Sequence, residues 1–92
     1  MEYDYGSIDF AGYSVGQTTP VAIDIANAKQ VTLHGTNFPV LLATENSALV
    51  NTNSASVFLL PADILMKFDG GCRYLYVLAV GGTATLYVQV VR

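Results

Sequence analysis

Apolar and polar residues alternate with a period of two along much of this chain. Val21, Ile23 and Ile25 are separated by Ala22 and Asp24. Val31 and Leu33 alternate with Gln30, Thr32 and His34, and Ile64, Met66 and Phe68 alternate with Leu65 and Lys67. This spacing predicts half-buried β-strands, because successive side chains of a strand point to opposite faces. Val40 to Ala43 and Val57 to Leu60 are unbroken apolar runs, short enough for strands covered on both sides. Pro20, Asn27-Ala28, Gly35-Thr36-Asn37, Pro61 and Asp69-Gly70-Gly71 separate the runs with turn chemistry. A short strand is expected around Ser7 to Phe10 or Tyr13 to Val15. The pattern gives about seven or eight short strands at a spacing of roughly ten residues and no good helix. It predicts an all-β fold, a jelly-roll-like antiparallel β-sandwich.

The stretch Tyr74 to Val91 carries the strongest signal. Two β-favouring runs flank Gly81-Gly82. Gly-Gly between such runs predicts a hairpin with a type I′ turn, in which both central residues take φ > 0. In that register one face carries Leu75, Val77, Ala79, Ala84, Leu86 and Val88, and is core. The other carries Tyr74, Tyr76, Leu78, Val80, Tyr87 and Gln89. That second face is too aromatic for plain solvent exposure and too polar for a second core. It predicts an interface built on Tyr74, Tyr76, Leu78, Val80 and Tyr87.

Composition points the same way. Hydrophobic residues make up 52% of the 92-residue chain and charged residues 12%, about half the usual charged fraction. A single domain of this size has a small core, so the apolar surplus predicts subunit contact rather than a monomer. The opening residues, 1–16, read as an arm that carries Tyr3, Tyr5, Phe10 and Tyr13 among glycines and the acids Glu2, Asp4 and Asp9. These aromatics are expected to contact a neighbouring subunit or another partner, with residues 17–92 forming the β-sandwich domain. The polar stretch Thr44 to Ser56 reads as a solvated connection, with Ala48-Leu49-Val50 a brief strand or edge within it.

Net charge is −3, and the four basic residues, Lys29, Lys67, Arg73 and Arg92, form no cluster. Nucleic-acid binding requires a basic footprint, so no nucleic-acid partner is expected. No run of 18 apolar residues predicts a membrane span, and MEYDYGSIDF has neither the basic nor the apolar region of a secretory signal. Cys72 is the single cysteine, so no internal disulfide forms.

The sequence supplies no catalytic constellation. His34 is the single histidine and falls on the outward period of its strand, and no serine sits in a glycine-flanked elbow. The carboxylates Asp4, Asp9, Asp24, Glu45, Asp63 and Asp69 are scattered, so no metal site, cofactor site or paired-acid glycosidase centre is expected. The glycine pairs lie between strands, with no following helix to hold a phosphate. Tyrosine-rich sheet faces also stack on sugars, so a sugar-binding module stands as the alternative to a protein interface.

From Val31 to Val91 the order of segments is V-T-L-H-G, V-L-L-A-T, a Ser/Asn/Thr loop, F-L-L-P-A at Phe58 to Ala62, F-D-G-G, and A-V-G-G-T-A-T at Ala79 to Thr85. This order resembles the small β-sandwich virion proteins of tailed bacteriophages, among them capsid decoration or cement proteins. The aromatic opening segment is not part of that pattern. The resemblance implies a non-enzymatic structural protein, made in the host cytoplasm, that sits as a homotrimer on the outer capsid surface. There it would bind the major capsid protein and stabilise the assembled head. A tail or head-tail junction component, or a sugar-binding module used in host adsorption, are the alternatives.

Overall fold

The computed structural model describes residues 8–46, 49 and 57–92. Its strands are β1 (Ile8–Val15), β2 (Val21–Asp24), β3 (Gln30–Thr36), β4 (Val40–Ala43), β5 (Phe58–Leu60), β6 (Leu65–Phe68), β7 (Tyr74–Ala79) and β8 (Ala84–Val91). They form two four-stranded sheets, sheet A in the order β1-β8-β3-β6 and sheet B in the order β2-β7-β4-β5. Every pairing among them is antiparallel. The first strand lies beside the last, the second beside the seventh, the third beside the sixth and the fourth beside the fifth. The chain is therefore one long hairpin rolled onto itself, the jelly-roll winding that the strand pattern predicts.

The alternating residues explain the two layers. Val31 and Leu33 of β3, Ala84, Leu86, Val88 and Val90 of β8, and Val15 of β1 point inward from sheet A. Ile23, Val40, Leu42, Leu60, Leu75, Val77 and Ala79 meet them from sheet B, and Ile25 closes one end. Each fully buried branched side chain contributes about 1.5–3 kcal/mol relative to exposure, and this single layer is where most of the fold's stability resides. No buried polar or charged residue interrupts it among the described residues.

Two expectations are corrected here. The Gly81-Gly82 segment is not a hairpin. β7 pairs with β2 and β4, whereas β8 pairs with β1 and β3, so the chain arches from one sheet to the other. Leu75, Val77 and Ala79 face Ala84, Leu86 and Val88 across the core instead of lying beside them, which keeps the expected core face but changes how it is buried. Gly81 has φ 89°, whereas Gly82 is not among the positive-φ residues. Gly82 is required for a different reason: a Cβ there would run into the ring of Phe38, which packs over the arch.

The second correction concerns residues 1–16. Ile8 to Val15 are a strand of the domain itself, paired with β8 from Ile8↔Val91 to Val15↔Ala84. Residues 1–7, with Tyr3 and Tyr5, lie outside the described residues. β1 ends in the core at Val15, but Ile8 to Gly12 are exposed on both faces of the strand. Arg92 pins this outer half. Its guanidinium donates to Asp9 Oδ2 at 2.6 Å and to the backbone carbonyls of Ala26 and Asp24, both at 2.9 Å.

Candidate protein-binding face

Separating β7 from β8 divides the expected aromatic interface between opposite sides of the molecule. Tyr74, Tyr76 and Leu78 lie on the outer face of sheet B. Tyr87 lies on the outer face of sheet A, and Val80 sits in the arch, where its N–H donates to the Pro39 carbonyl. Tyr76 pairs with Ala22 and Ala43, and Tyr87 with Gly12 and His34, so the two tyrosines are not neighbours. Phe10 and Tyr13 also part company. Phe10 pairs with Gln89 on the outer side, while Tyr13 pairs with Leu86 and packs against the core.

The middle of the outer face of sheet B is covered by the chain itself, while Leu59 at its β5 edge stays 50% exposed. Leu49 is 2% exposed and forms a second small cluster with Ala43, against which Leu41, Val57, Tyr76 and Leu78 pack. Beyond this cover, Tyr74 stands 6.2 Å from Tyr76, ring centre to ring centre, and the Arg73 guanidinium lies 5.2 Å from the Tyr74 ring. Leu49 belongs to the stretch expected to be a solvated connection. The other residues of the Ala48-Leu49-Val50 segment lie outside the described residues. The signal for this cover was the apolar triplet in an otherwise polar stretch.

Among the described residues, none lies over the outer face of sheet A. Its strands align side chains in rows across the sheet: Phe10, Gln89, Thr32 and Lys67 in one, and Gly12, Tyr87, His34 and Leu65 in the next. Gly12 leaves a gap in the second row, and the Tyr87 ring lies beside it. The Cβ that Gly12 lacks would sit 3.8 Å from two Tyr87 ring carbons. An aromatic side chain leaning over a strand glycine compensates for its missing packing. On its other side the Tyr87 ring stacks with His34, with centroids 6.4 Å apart and planes at 27°. The result is a shallow groove of about 410 Å³ with Phe10 and Leu65 at its margins. Phe10 is 76% exposed, Leu65 58% and Tyr87 52%. The strand period places Leu65 with Lys67, opposite Ile64 and Met66, and only the sheet order shows that it joins this surface.

His34 is flanked in its row by an aromatic ring and a leucine. Asp9 is engaged by Arg92, and Asp24 Oδ1 accepts the Ala26 N–H at 2.9 Å, closing the turn after β2. Among the described residues no group of three or more His, Cys, Asp or Glu side chains converges on a point where a metal ion could sit. Cys72 is half-buried against the core. A second, smaller cleft of about 160 Å³ opens between the sheet edges at Phe58, Met66 and Phe68 and is also apolar. No protein-family model, no curated protein and no solved structure matches the chain.

Proposed function

We propose that this protein is a non-enzymatic structural component of a virion, an oligomeric decoration protein that binds the assembled head of a tailed bacteriophage and stabilises it. The observation that carries the oligomeric part of the reading is the exposed apolar patch on the outer face of sheet A. Phe10, Tyr87 and Leu65 stand exposed on a domain that covers part of the opposite face with its own Leu49. Apolar patches of this kind on small proteins mark contacts with other macromolecules. The viral assignment draws on the resemblance over Val31 to Val91. The jelly-roll winding agrees with it, since capsid and lectin domains both use that winding, but winding alone is an analogy of fold.

Such a protein works by mass action. Binding the assembled shell and not its separated subunits stabilises the shell by about 2.7 kcal/mol per site when the free concentration is a hundredfold above the dissociation constant. The test is to add purified protein to phage heads that lack it, then measure retention and the heads' melting temperature. Retention at a copy number comparable to the capsid subunit, with a raised melting temperature, is expected. No retention would contradict the reading, and a handful of copies per particle would move the protein to the tail or head-tail junction.

One observation favours a second reading. The exposed Phe10 and Tyr87 rings lie beside the polar side chains of Thr32, Gln89 and His34 in one groove. Rings for stacking and polar groups for hydroxyls together are what a sugar-binding site uses. A glycan array tests it, and signal abolished by Tyr87→Ala would support a module for host adsorption.

A further inference from the structure

We propose that the outer face of sheet A is occupied by the same face of a second copy, packed about a two-fold axis. The inference rests on the reading of the protein as oligomeric and goes beyond it by naming the surface and its occupant. It leaves the contact with the shell to other surfaces.

Charge makes the first argument. The rows of this face hold Ile8, Val91 and Gln30; Phe10, Gln89, Thr32 and Lys67; Gly12, Tyr87, His34 and Leu65; and Ser14, Thr85 and Thr36. Lys67, on the β6 rim, is the single Lys, Arg, Asp or Glu among them. The chain as a whole carries a net −3, and its described carboxylates lie elsewhere. Asp24 ends β2 in sheet B, Glu45 follows β4, Asp63 and Asp69 flank β6, and Asp9 faces inward along β1. For an acidic protein this surface can meet its own copy with little like-charge repulsion. A two-fold contact places each patch against itself, so self-compatibility is its first requirement.

Shape makes the second. The face carries both a projection and a hollow. Phe10 stands proud of β1, and beside it the Gly12 position leaves the groove over which Tyr87 leans. A two-fold axis through the face sets the Phe10 of each copy into the groove of the other. Two-fold contacts are built from such reciprocal pairs, and large aromatic anchors in pockets dominate their energetics.

Size makes the third. Four strands about 4.8 Å apart and up to about 25 Å long give a face of roughly 500 Å² before side-chain relief is counted. With that relief it approaches the roughly 800 Å² per partner of a standard stable interface. Sheet faces pack about 10 Å apart, which the short Thr32, Ser14 and Thr85 side chains permit.

The rival geometry is pairing of two β1 edges. That edge is eight residues long and carries no Pro, Lys or Arg, with Asp9 as its one inward-pointing charge, so it is only lightly blunted. Thr32 separates the two, because it lies mid-face on β3, two strands in from the β1 edge.

The experiment is sedimentation equilibrium on the full chain across micromolar concentrations, with Phe10→Asp and Thr32→Arg alongside. Wild type is expected to run as a dimer. Each variant should raise the dissociation constant on the order of 30-fold or more, the tenfold-per-1.4 kcal/mol equivalent of losing one hot spot. Phe10→Asp should melt like the wild-type monomer when both are dilute. A wild type that stays monomeric at tens of micromolar would overturn the proposal. So would an oligomer that neither variant disturbs, and so would one that Phe10→Asp breaks and Thr32→Arg leaves intact, which is the edge-pairing result. Retention on phage heads, scored separately, distinguishes failure here from failure of the functional reading: a protein that dimerises through this face yet ignores heads refutes only the latter.

Discussion

Sheet B covers part of its outer face with its own chain, whereas no described residue lies over that of sheet A. On sheet B, Leu49 sits over Ala43 and draws Tyr76 and Leu78 into a second small cluster. On sheet A, the corresponding outward side chains of β8 and β1, Tyr87 and Phe10, remain 52% and 76% exposed. Both faces carry aromatic and aliphatic side chains, and both come from strands with the same period of two. The difference is whether the chain brings its own cover. A Tyr-Leu-rich outer face therefore does not by itself mark an interface; the mark is such a face with nothing of the same chain over it.

The comparison can be broken at several depths. Leu86→Ala removes a side chain from the core shared by both sheets, where the packing density leaves no room to relax. A loss of about 2–5 kcal/mol in urea unfolding is expected, and a smaller loss would show that this layer does not carry the fold. Tyr76→Ala strips the covered face and should cost about 1–3 kcal/mol of monomer stability, whereas Tyr87→Ala on the open face should cost less than about 1 kcal/mol. Equal losses would mean that the two faces are equally covered. This ordering reverses the role that the hairpin register assigned to Tyr76.

The arch between the sheets gives a sharper probe. Gly82→Ala forces the Phe38 ring aside and should destabilise by about 1–2 kcal/mol. In a Phe38→Ala background the same change should cost clearly less, a coupling of about 0.5 kcal/mol or more. A hairpin turn would show no such coupling. Smallest of all is Asp9→Asn. The Arg92–Asp9 pair is at the surface, with Asp9 60% exposed, so a change of at most about 0.5–1 kcal/mol is expected.

The strands and the core were legible because alternation fixes which side chains are buried together. Leu75, Val77, Ala79, Ala84, Leu86 and Val88 are inward residues whether β7 and β8 lie side by side or face to face. The same alternation is satisfied by a hairpin and by an arch, so it does not state which strand pairs with which. Gly-Gly tipped the reading towards a hairpin, yet Gly82 serves Phe38, a contact with a residue 44 positions earlier that no local pattern encodes. The open face was illegible for the same reason. Phe10, Tyr87, His34 and Leu65 come from four strands, β1, β8, β3 and β6, and meet only through the rolled-up sheet order. Leu65 looked like the solvent side of its strand, as it is, but the neighbours that make it part of an apolar surface are long-range. β1 was read as an arm because Ile8 to Gly12 show no buried face of their own. They are a strand because β8 offers a partner along its whole length.

The central claim is that the chain's own cover stabilises the outer face of sheet B, whereas the exposed side chains on the outer face of sheet A add little to the monomer's stability. It is tested most directly by measuring the urea midpoints of Leu49→Ala and Phe10→Ala together, at a concentration below that of self-association. Leu49→Ala should lose about 2–4 kcal/mol, since it uncovers sheet B, and Phe10→Ala should stay within about 0.5 kcal/mol of wild type. A silent Leu49→Ala, or a Phe10→Ala that unfolds the monomer, would contradict the claim.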